Sequence, residues 1–173
     1  KSFDISELPG EIGATGTPTC IAASASKACS IELSERIITG RSGDRFCPIS
    51  QDAMIVYDDI VYHDYGMPAS QEECDALGVS IQGGSCVVLR NHGLLTLGPT
   101  VHGTLMNMYM LERACELEVL AAGFSEPPVM IDPEVVRRLG AGLKKARAEP
   151  AWGLHEWNAL VRVIEGKGSD WRQ

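Results

Sequence analysis

Hydrophobic and polar positions along the chain fall into blocks that predict strands and helices in turn. Two short apolar runs, residues 86–89 and 94–97, flank a polar stretch, Arg90-Asn91-His92-Gly93. Runs this apolar and β-branched are typical of buried strands. Gly93 supplies the backbone freedom that a bulge or turn between them requires, and Gly98-Pro99 ends the second run. The pattern therefore predicts two closely connected strands.

Apolar residues repeated at three- and four-residue intervals predict the helices. The longest runs from about Val101 to Ala122, with Thr100 as its N-cap. Capping and breaking residues mark three more, a helix from Ser70 to about Gln82, one from Asp132 to about Ala148 and one from about Leu154 to Glu165.

The first third of the chain has a weaker pattern. Residues 1–19 are rich in Gly, Pro, Ser and Thr and are typical of a loop. Residues 20–29 fit either a buried strand or a short helix, and residues 31–39 fit a short helix. Further on, Ile49 to Tyr57 predicts a turn of helix. Asp59 to Tyr65 predicts a strand whose residues alternate between two faces.

Composition indicates one soluble globular domain, residues 1–173, of the α/β or α+β class. Hydrophobic residues make up 45% of the chain, and some strands lie too close together for a crossover. A net charge of −8 without a basic cluster argues against nucleic acid and anionic membranes as partners. The irregularly spaced cysteines predict reduced thiols in a cytoplasmic protein.

The segment 87–100 and the helix after it, which contains Leu-Glu-Arg-Ala at 111–114, resemble the class II aldolase/adducin family. The resemblance extends to residues 47–52, 62–66 and 156–162. Residues 1–44 are diverged. In the family the Asn-His-Gly turn carries a divalent-metal ligand, matched here by His92. The resemblance implies a central, mostly antiparallel sheet covered by helices, and a homo-oligomer, often a tetramer, with active sites at subunit interfaces.

The family's zinc site takes two more histidines from a His-x-His, and this sequence has no His-x-His. Counting back from residues 49–52 places those two positions at about Ser30 and Glu32, and an assisting glutamate near Glu11. One histidine and two carboxylates can still bind a metal. Because the histidine pair is missing, we expect no cofactor, with zinc or another divalent metal as the alternative.

Other polar residues near His92 are candidates for the same site. His63 and Tyr65, at the end of the predicted strand, could act as acid/base groups. Asn91 and Gly93 flank His92 and are candidate substrate-binding residues, together with Ser30. The plainer alternative, for His63 and for His92, is a histidine that is hydrogen-bonded in the core or packed at the surface.

Three functions compete. The leading hypothesis is a class II aldolase-like enzyme repurposed for metal-independent acid/base chemistry on a carbonyl-containing small molecule, by enolisation, C–C cleavage or cyclisation. His92 would be its general acid/base and Glu32 or Glu11 the carboxylate partner. The second is a divalent-metal lyase with altered ligands. The third is a non-catalytic, adducin-head-like oligomerisation module, and fold alone does not decide among them.

Overall fold

The computed structural model of the protein describes residues 19–23, 46–67 and 70–168. Its strands are β1 (Thr19–Ala23), β2 (Ile60–His63), β3 (Cys86–Leu89) and β4 (Gly93–Gly98). Its α-helices are α1 (Gln51–Val56), α2 (Gln71–Ser80), α3 (Val101–Ala122), α4 (Pro133–Ala148) and α5 (Leu154–Gly166). A short 3-10 turn, Tyr57–Asp59, joins α1 to β2.

The strands form one sheet in the order β1-β4-β3-β2. Strands β1 and β3 both run antiparallel to β4, while β2 runs parallel to β3. A parallel pair needs a crossover connection, and α2 lies within it. The mostly antiparallel sheet that the family resemblance implies is therefore confirmed.

The main core lies between one face of the sheet and the helices α1 and α3. Cys86, Val88 and Leu94 of the sheet pack with Val56 of α1 and Leu111 of α3, and each is at most 1% exposed. Burying a side chain of this kind contributes about 1.5–3 kcal/mol relative to an exposed position. The sequence predicted the apolar runs as buried strands and α3 as a helix, and the structure shows that they pack against each other.

The helices begin at residues that satisfy otherwise unpaired backbone amides. The side chains of Ser50, Ser70, Thr100 and Asp132 accept an N–H bond at the starts of α1, α2, α3 and α4. A cap of this kind contributes about 0.5–2 kcal/mol. Helix α5 differs, because Gly153 precedes it in the left-handed conformation, with φ 74°, and makes no side-chain cap.

Several predictions about the first third of the chain are settled only in part. Residues 19–23 form strand β1, which selects the strand alternative for that part of residues 20–29. The short helix predicted at 31–39 lies outside the described residues. Strand β2 is shorter than predicted, because its pairing with β3 runs only from Ile60 to His63. None of the helices in the described ranges is long and apolar enough to cross a membrane.

Candidate functional site

One corner of the sheet, where β2 and β3 end side by side, carries four of the polar residues singled out in the sequence, namely His63, Tyr65, Asn91 and His92. His63, the last residue of β2, pairs with Leu89, the last residue of β3. Parallel strands end at the same edge of a sheet, so Asp64-Tyr65 and Arg90-Asn91-His92 leave it together. The amide of Arg90 donates a hydrogen bond of 2.8 Å to the carbonyl of His63 and ties the two segments to each other.

The turn that carries His92 depends on Asn91. Asn91 adopts the left-handed conformation, with φ 57°, and the amide of His92 donates to the carbonyl of Leu89 at 3.0 Å. Gly93 instead lies buried in β4, paired with Leu89. The prediction that Gly93 supplies the turn's backbone freedom was therefore wrong. The short polar side chain of asparagine tolerates this region, and the turn needs no glycine there.

Tyr65 and His92 form a pair of exposed rings at this corner. Their ring centroids are 6.3 Å apart and the ring planes are inclined by 38°. Tyr65 is 61% exposed, and His92 is exposed as well. Both rings are therefore in contact with solvent, from which a small molecule can approach them. The arrangement can supply a proton donor and a proton acceptor to the same substrate.

Arg90 is a further polar group at the corner, and the sequence analysis missed it as a site residue. Its guanidinium lies 4.9 Å from the centroid of the Tyr62 ring, and its Nε lies 3.1 Å from a carboxylate oxygen of Asp64. The Arg90 side chain is 20% exposed and that of Asp64 is 93% exposed. Strand alternation places Tyr62 and Asp64 on one face, but only the register of β2 against β3 shows that Arg90 meets both.

The ring of Tyr62 supports Arg90 and is not an acid at neutral pH. Burial raises the pKa of Tyr62 to about 12, and the nearby carboxylate of Glu118 acts in the same direction. The ring also packs against the main core. Tyr62 therefore contributes a π face for the guanidinium, whereas the exposed Tyr65 is the phenol available to a substrate.

His63 faces helix α2 and is held at both ring nitrogens. Its Nε2 lies 2.8 Å from an oxygen of Glu73, and its Nδ1 lies 2.9 Å from the hydroxyl of Ser80. The residue is 7% exposed. With both nitrogens engaged, this imidazole has no position left for a substrate proton. The structure thus fits the alternative that His63 is a packing residue, which connects α2 to β2 through these two hydrogen bonds.

Ser30, Glu32 and Glu11 lie outside the described residues, so their relation to His92 remains a prediction. The described backbone closest to them in the chain is β1, whose last residue, Ala23, pairs with Leu94 beside the turn of His92. Within residues 46–67 and 70–168, no three His, Cys, Asp or Glu side chains are placed to hold a metal ion. The described residues alone therefore do not build the zinc site of the family.

Comparison with known proteins gives matches over the elements that build this corner. The family described as Class II Aldolase and Adducin N-terminal domain matches residues 15–119. A relative from Pseudomonas aeruginosa, named as a class 2 aldolase protein, is 30% identical over 130 residues, which cover 73% of this chain and 50% of the relative. Beta-adducin of Rattus norvegicus is 31% identical over 140 residues, which cover 70% of this chain and 18% of the relative.

A solved structure shows the same fold. The aldolase II superfamily protein from Pseudomonas syringae has a TM-score of 0.70 and 32% sequence identity, over 80% of this chain and 55% of that chain. The present chain thus spans about half the length of these two bacterial relatives. The family match includes β2, β3, β4 and most of α3, which are the elements that place Tyr65, Arg90 and His92. The chain belongs to the class II aldolase and adducin family.

Proposed function

We propose that this chain carries the reactive corner of a class II aldolase-type enzyme that performs acid/base chemistry on a small anionic carbonyl compound. The observation that carries the proposal is the exposed ring pair of Tyr65 and His92, whose centroids lie 6.3 Å apart. A proton donor and a proton acceptor thus lie together where β2 and β3 end, and Arg90, held by Asp64, begins the segment that carries His92.

His92 is the general acid/base in this proposal. An imidazole titrates near neutral pH, so one group can accept a proton and later return it. In an enolisation, His92 takes the proton from the carbon next to the substrate carbonyl, and the electron pair moves onto the carbonyl oxygen. In an aldol cleavage, His92 takes the proton of the β-hydroxyl, which becomes a carbonyl as the C–C bond breaks. The electrons of that bond move onto the original carbonyl oxygen.

Tyr65 donates a hydrogen bond to that oxygen as its negative charge develops. A donor aimed at developing charge stabilises the transition state more than the ground state. Arg90 binds the anionic group of the substrate, because a guanidinium has five N–H donors in a planar arrangement that matches carboxylate and phosphate oxygens. This role makes a phosphorylated or carboxylated carbonyl compound the expected substrate class.

Glu32 and Glu11 are the proposed carboxylate partners of His92. A carboxylate on one ring nitrogen orients the imidazole and stabilises its protonated form. Glu32 is favoured, because Ala23 pairs with Leu94 beside the His92 turn and Glu32 follows Ala23 closely in the chain. Ser30, on the same segment, is proposed to contact the substrate together with Asn91.

We propose that the reaction proceeds without a metal. The described side chain that is paired with His92 is the phenol of Tyr65, and Arg90, two residues before His92 in the chain, carries a positive charge that repels a cation. In the alternative, His92 would be one ligand of zinc or another divalent cation, whose chemistry when bound is to polarise the substrate carbonyl. The remaining ligands would come from outside the described residues.

The test is proton exchange at the carbon next to a carbonyl, followed by NMR in D₂O. Dihydroxyacetone, its phosphate and glycolaldehyde serve as probes. We expect the phosphorylated probe to exchange fastest. His92→Gln should lower the exchange rate by about 10²–10⁴-fold, the usual contribution of a positioned acid/base group. Tyr65→Phe should lower the rate less, and Arg90→Gln should raise KM mainly for the phosphorylated probe.

His155→Gln is the matched control, because His155 is an exposed histidine on α5 that takes no part in the corner. Its exchange rate should equal that of the wild type. Elemental analysis and a chelator separate the metal-free reaction from the metal alternative. No exchange with any probe, from a folded protein, would overturn the catalytic proposal in favour of an adducin-like binding module.

We also propose that the chain forms a homo-oligomer, in line with the family resemblance. Large apolar side chains stay exposed in the segment after α3, with Phe124 75% and Val129 90% exposed. Exposed apolar side chains grouped in this way are typical of a protein–protein contact. Light scattering should give a mass of at least two chains, and Phe124→Ser together with Val129→Ser should lower it.

A further inference from the structure

We infer that a second site, between helices α3 and α5, binds a small apolar ligand that carries a cationic end. A cavity of about 400 Å³ lies between these two helices. Ligand pockets commonly enclose about 300–1,000 Å³. The cavity is therefore large enough for a molecule of one or two rings with a short chain.

This cavity is separate from the corner that carries His92. His92 precedes the amino end of β4, at Gly93, whereas the cavity begins at His102, after the carboxyl end of β4 at Gly98. Both helices start at the same end of the cavity. A Cβ added at Gly153, just before α5, would lie only 2.5 Å from the carbonyl oxygen of His102. The two sites can thus be tested independently.

The walls of the cavity are apolar. Leu105 and Met106 of α3 face Trp157, Leu160 and Val163 of α5. Leu160 and Val163 remain 50% and 53% exposed. A ligand with an apolar body would remove these side chains from water, which is favourable. Helix α3 thus covers this apolar face of α5 only in part.

The polar group that suits a cation is a carboxylate near the start of the cavity. Glu156 is the only charged side chain among the described residues that line it. The ring of His102 lies with Nε2 2.8 Å from the carbonyl of Pro150, so Nε2 carries the hydrogen and donates it. Trp157 and Tyr109 also line the cavity, and the faces of such rings attract a cation. A carboxylate and aromatic rings together complement an ammonium group.

The test is calorimetric titration of the full chain with three ligands of one shape, 4-phenylbutylamine, 4-phenylbutanol and 4-phenylbutyrate. We expect the amine to bind about 1.4- to 5-fold more tightly than the alcohol, the range for an exposed ion pair. The acid should bind most weakly. Equal affinities for amine and acid, or no binding of any of the three, would overturn the inference.

Variants locate the site and distinguish the contribution of the Glu156 carboxylate from that of the apolar walls. Glu156→Gln should lower the affinity for the amine to that for the alcohol. The affinity for the alcohol should stay unchanged. Ala159→Trp adds a large side chain to the lining and should abolish all binding. Leu160→Gln, at a half-exposed position, should weaken the binding of all three ligands. It serves as the test if Ala159→Trp does not fold. Glu126→Gln, in the loop after α3, is the control and should bind as the wild type does.

The corner at His92 provides the second control. His92→Gln should bind 4-phenylbutylamine with wild-type affinity, since the two sites lie at opposite ends of β4. If His92→Gln abolished amine binding, the ligand would occupy the corner, and the inference of a separate site would be wrong.

Discussion

The guanidinium of Arg147 in α4 lies 2.7 Å from the carboxylate of Asp59, in the turn before β2. The side chains are only 4% and 9% exposed. The contact is an ion pair whose Nη2 is not aligned for a hydrogen bond, but Ser85 donates to the same carboxylate at 2.8 Å. Arg147 also donates to the carbonyl of Ile55 at the end of α1. This cluster attaches α4 to the turn that leads into β2.

Arg147→Ala should therefore lower the free energy of unfolding by about 3 kcal/mol, the lower end for a broken buried pair. It removes the buried partner of Asp59 and leaves only Lys144, 2.9 Å away and half exposed, to pair with that carboxylate. Urea denaturation measures the loss. Arg137→Ala on the same helix is the control, since the side chains of Arg137 and Glu134 are 74% and 73% exposed. It should cost less than about 1 kcal/mol. Equal losses for the two variants would show that the Arg147 pair does not stabilise the fold.

Gly153→Ala should lower the free energy of unfolding by at least about 2 kcal/mol. The residue has φ 74°, and the added Cβ would lie 2.5 Å from the carbonyl oxygen of His102 and 2.8 Å from the Cβ of Met106. Gly142→Ala is the matched substitution, in an α4 position with open space around it. It should stabilise the protein by about 0.5–1 kcal/mol, as expected for alanine in a helix.

The stability of the protein should fall as the pH rises above 9. Burial raises the pKa of the Cys86 thiol from 9.0 to about 12 in the folded protein. Between these values the unfolded chain ionises and the folded chain does not. Each pH unit there lowers the free energy of unfolding by at most about 1.4 kcal/mol. Below the unfolded pKa the thiol is neutral in both states and adds no pH dependence.

Urea denaturation on both sides of pH 9 tests this dependence. Cys86→Ala should be less stable at neutral pH, because it leaves a small cavity, and its stability should fall less steeply above pH 9. Cys74→Ala, at a half-buried position in α2, should keep the wild-type slope. A Cys86→Ala slope equal to that of the wild type would contradict the assignment of the effect to this thiol.

His63→Ala should detach α2 from β2. Glu73 and Ser80 lose their shared partner, and leaving part-buried polar groups unpaired costs about 1–3 kcal/mol. Hydrogen exchange should show faster exchange of the α2 amides, while the α3 amides change only with global stability. His155→Ala, at an exposed position on α5, should leave both rates unchanged. Unaltered α2 exchange in His63→Ala would show that the helix is held by other contacts.

The elements were predictable because their signals are local. Ser70, Thr100 and Asp132 cap α2, α3 and α4 as predicted, and each cap involves atoms only a few residues away. The apolar runs at 86–89 and 94–97 became β3 and β4 for the same reason. The turn between them was only half predicted. Its position was right, but Asn91, and not Gly93, takes the left-handed conformation.

The sequence by itself determined where most of the described elements lie, that the runs at 86–89 and 94–97 form buried strands, and to which family the chain belongs. Only the tertiary structure decided that Tyr65 and His92 share a corner, that Arg90 lies between Tyr62 and Asp64, and that His63 is engaged by α2. It also decided that Arg147 meets Asp59. These contacts depend on strand register and helix packing, which the pattern of a single segment does not contain.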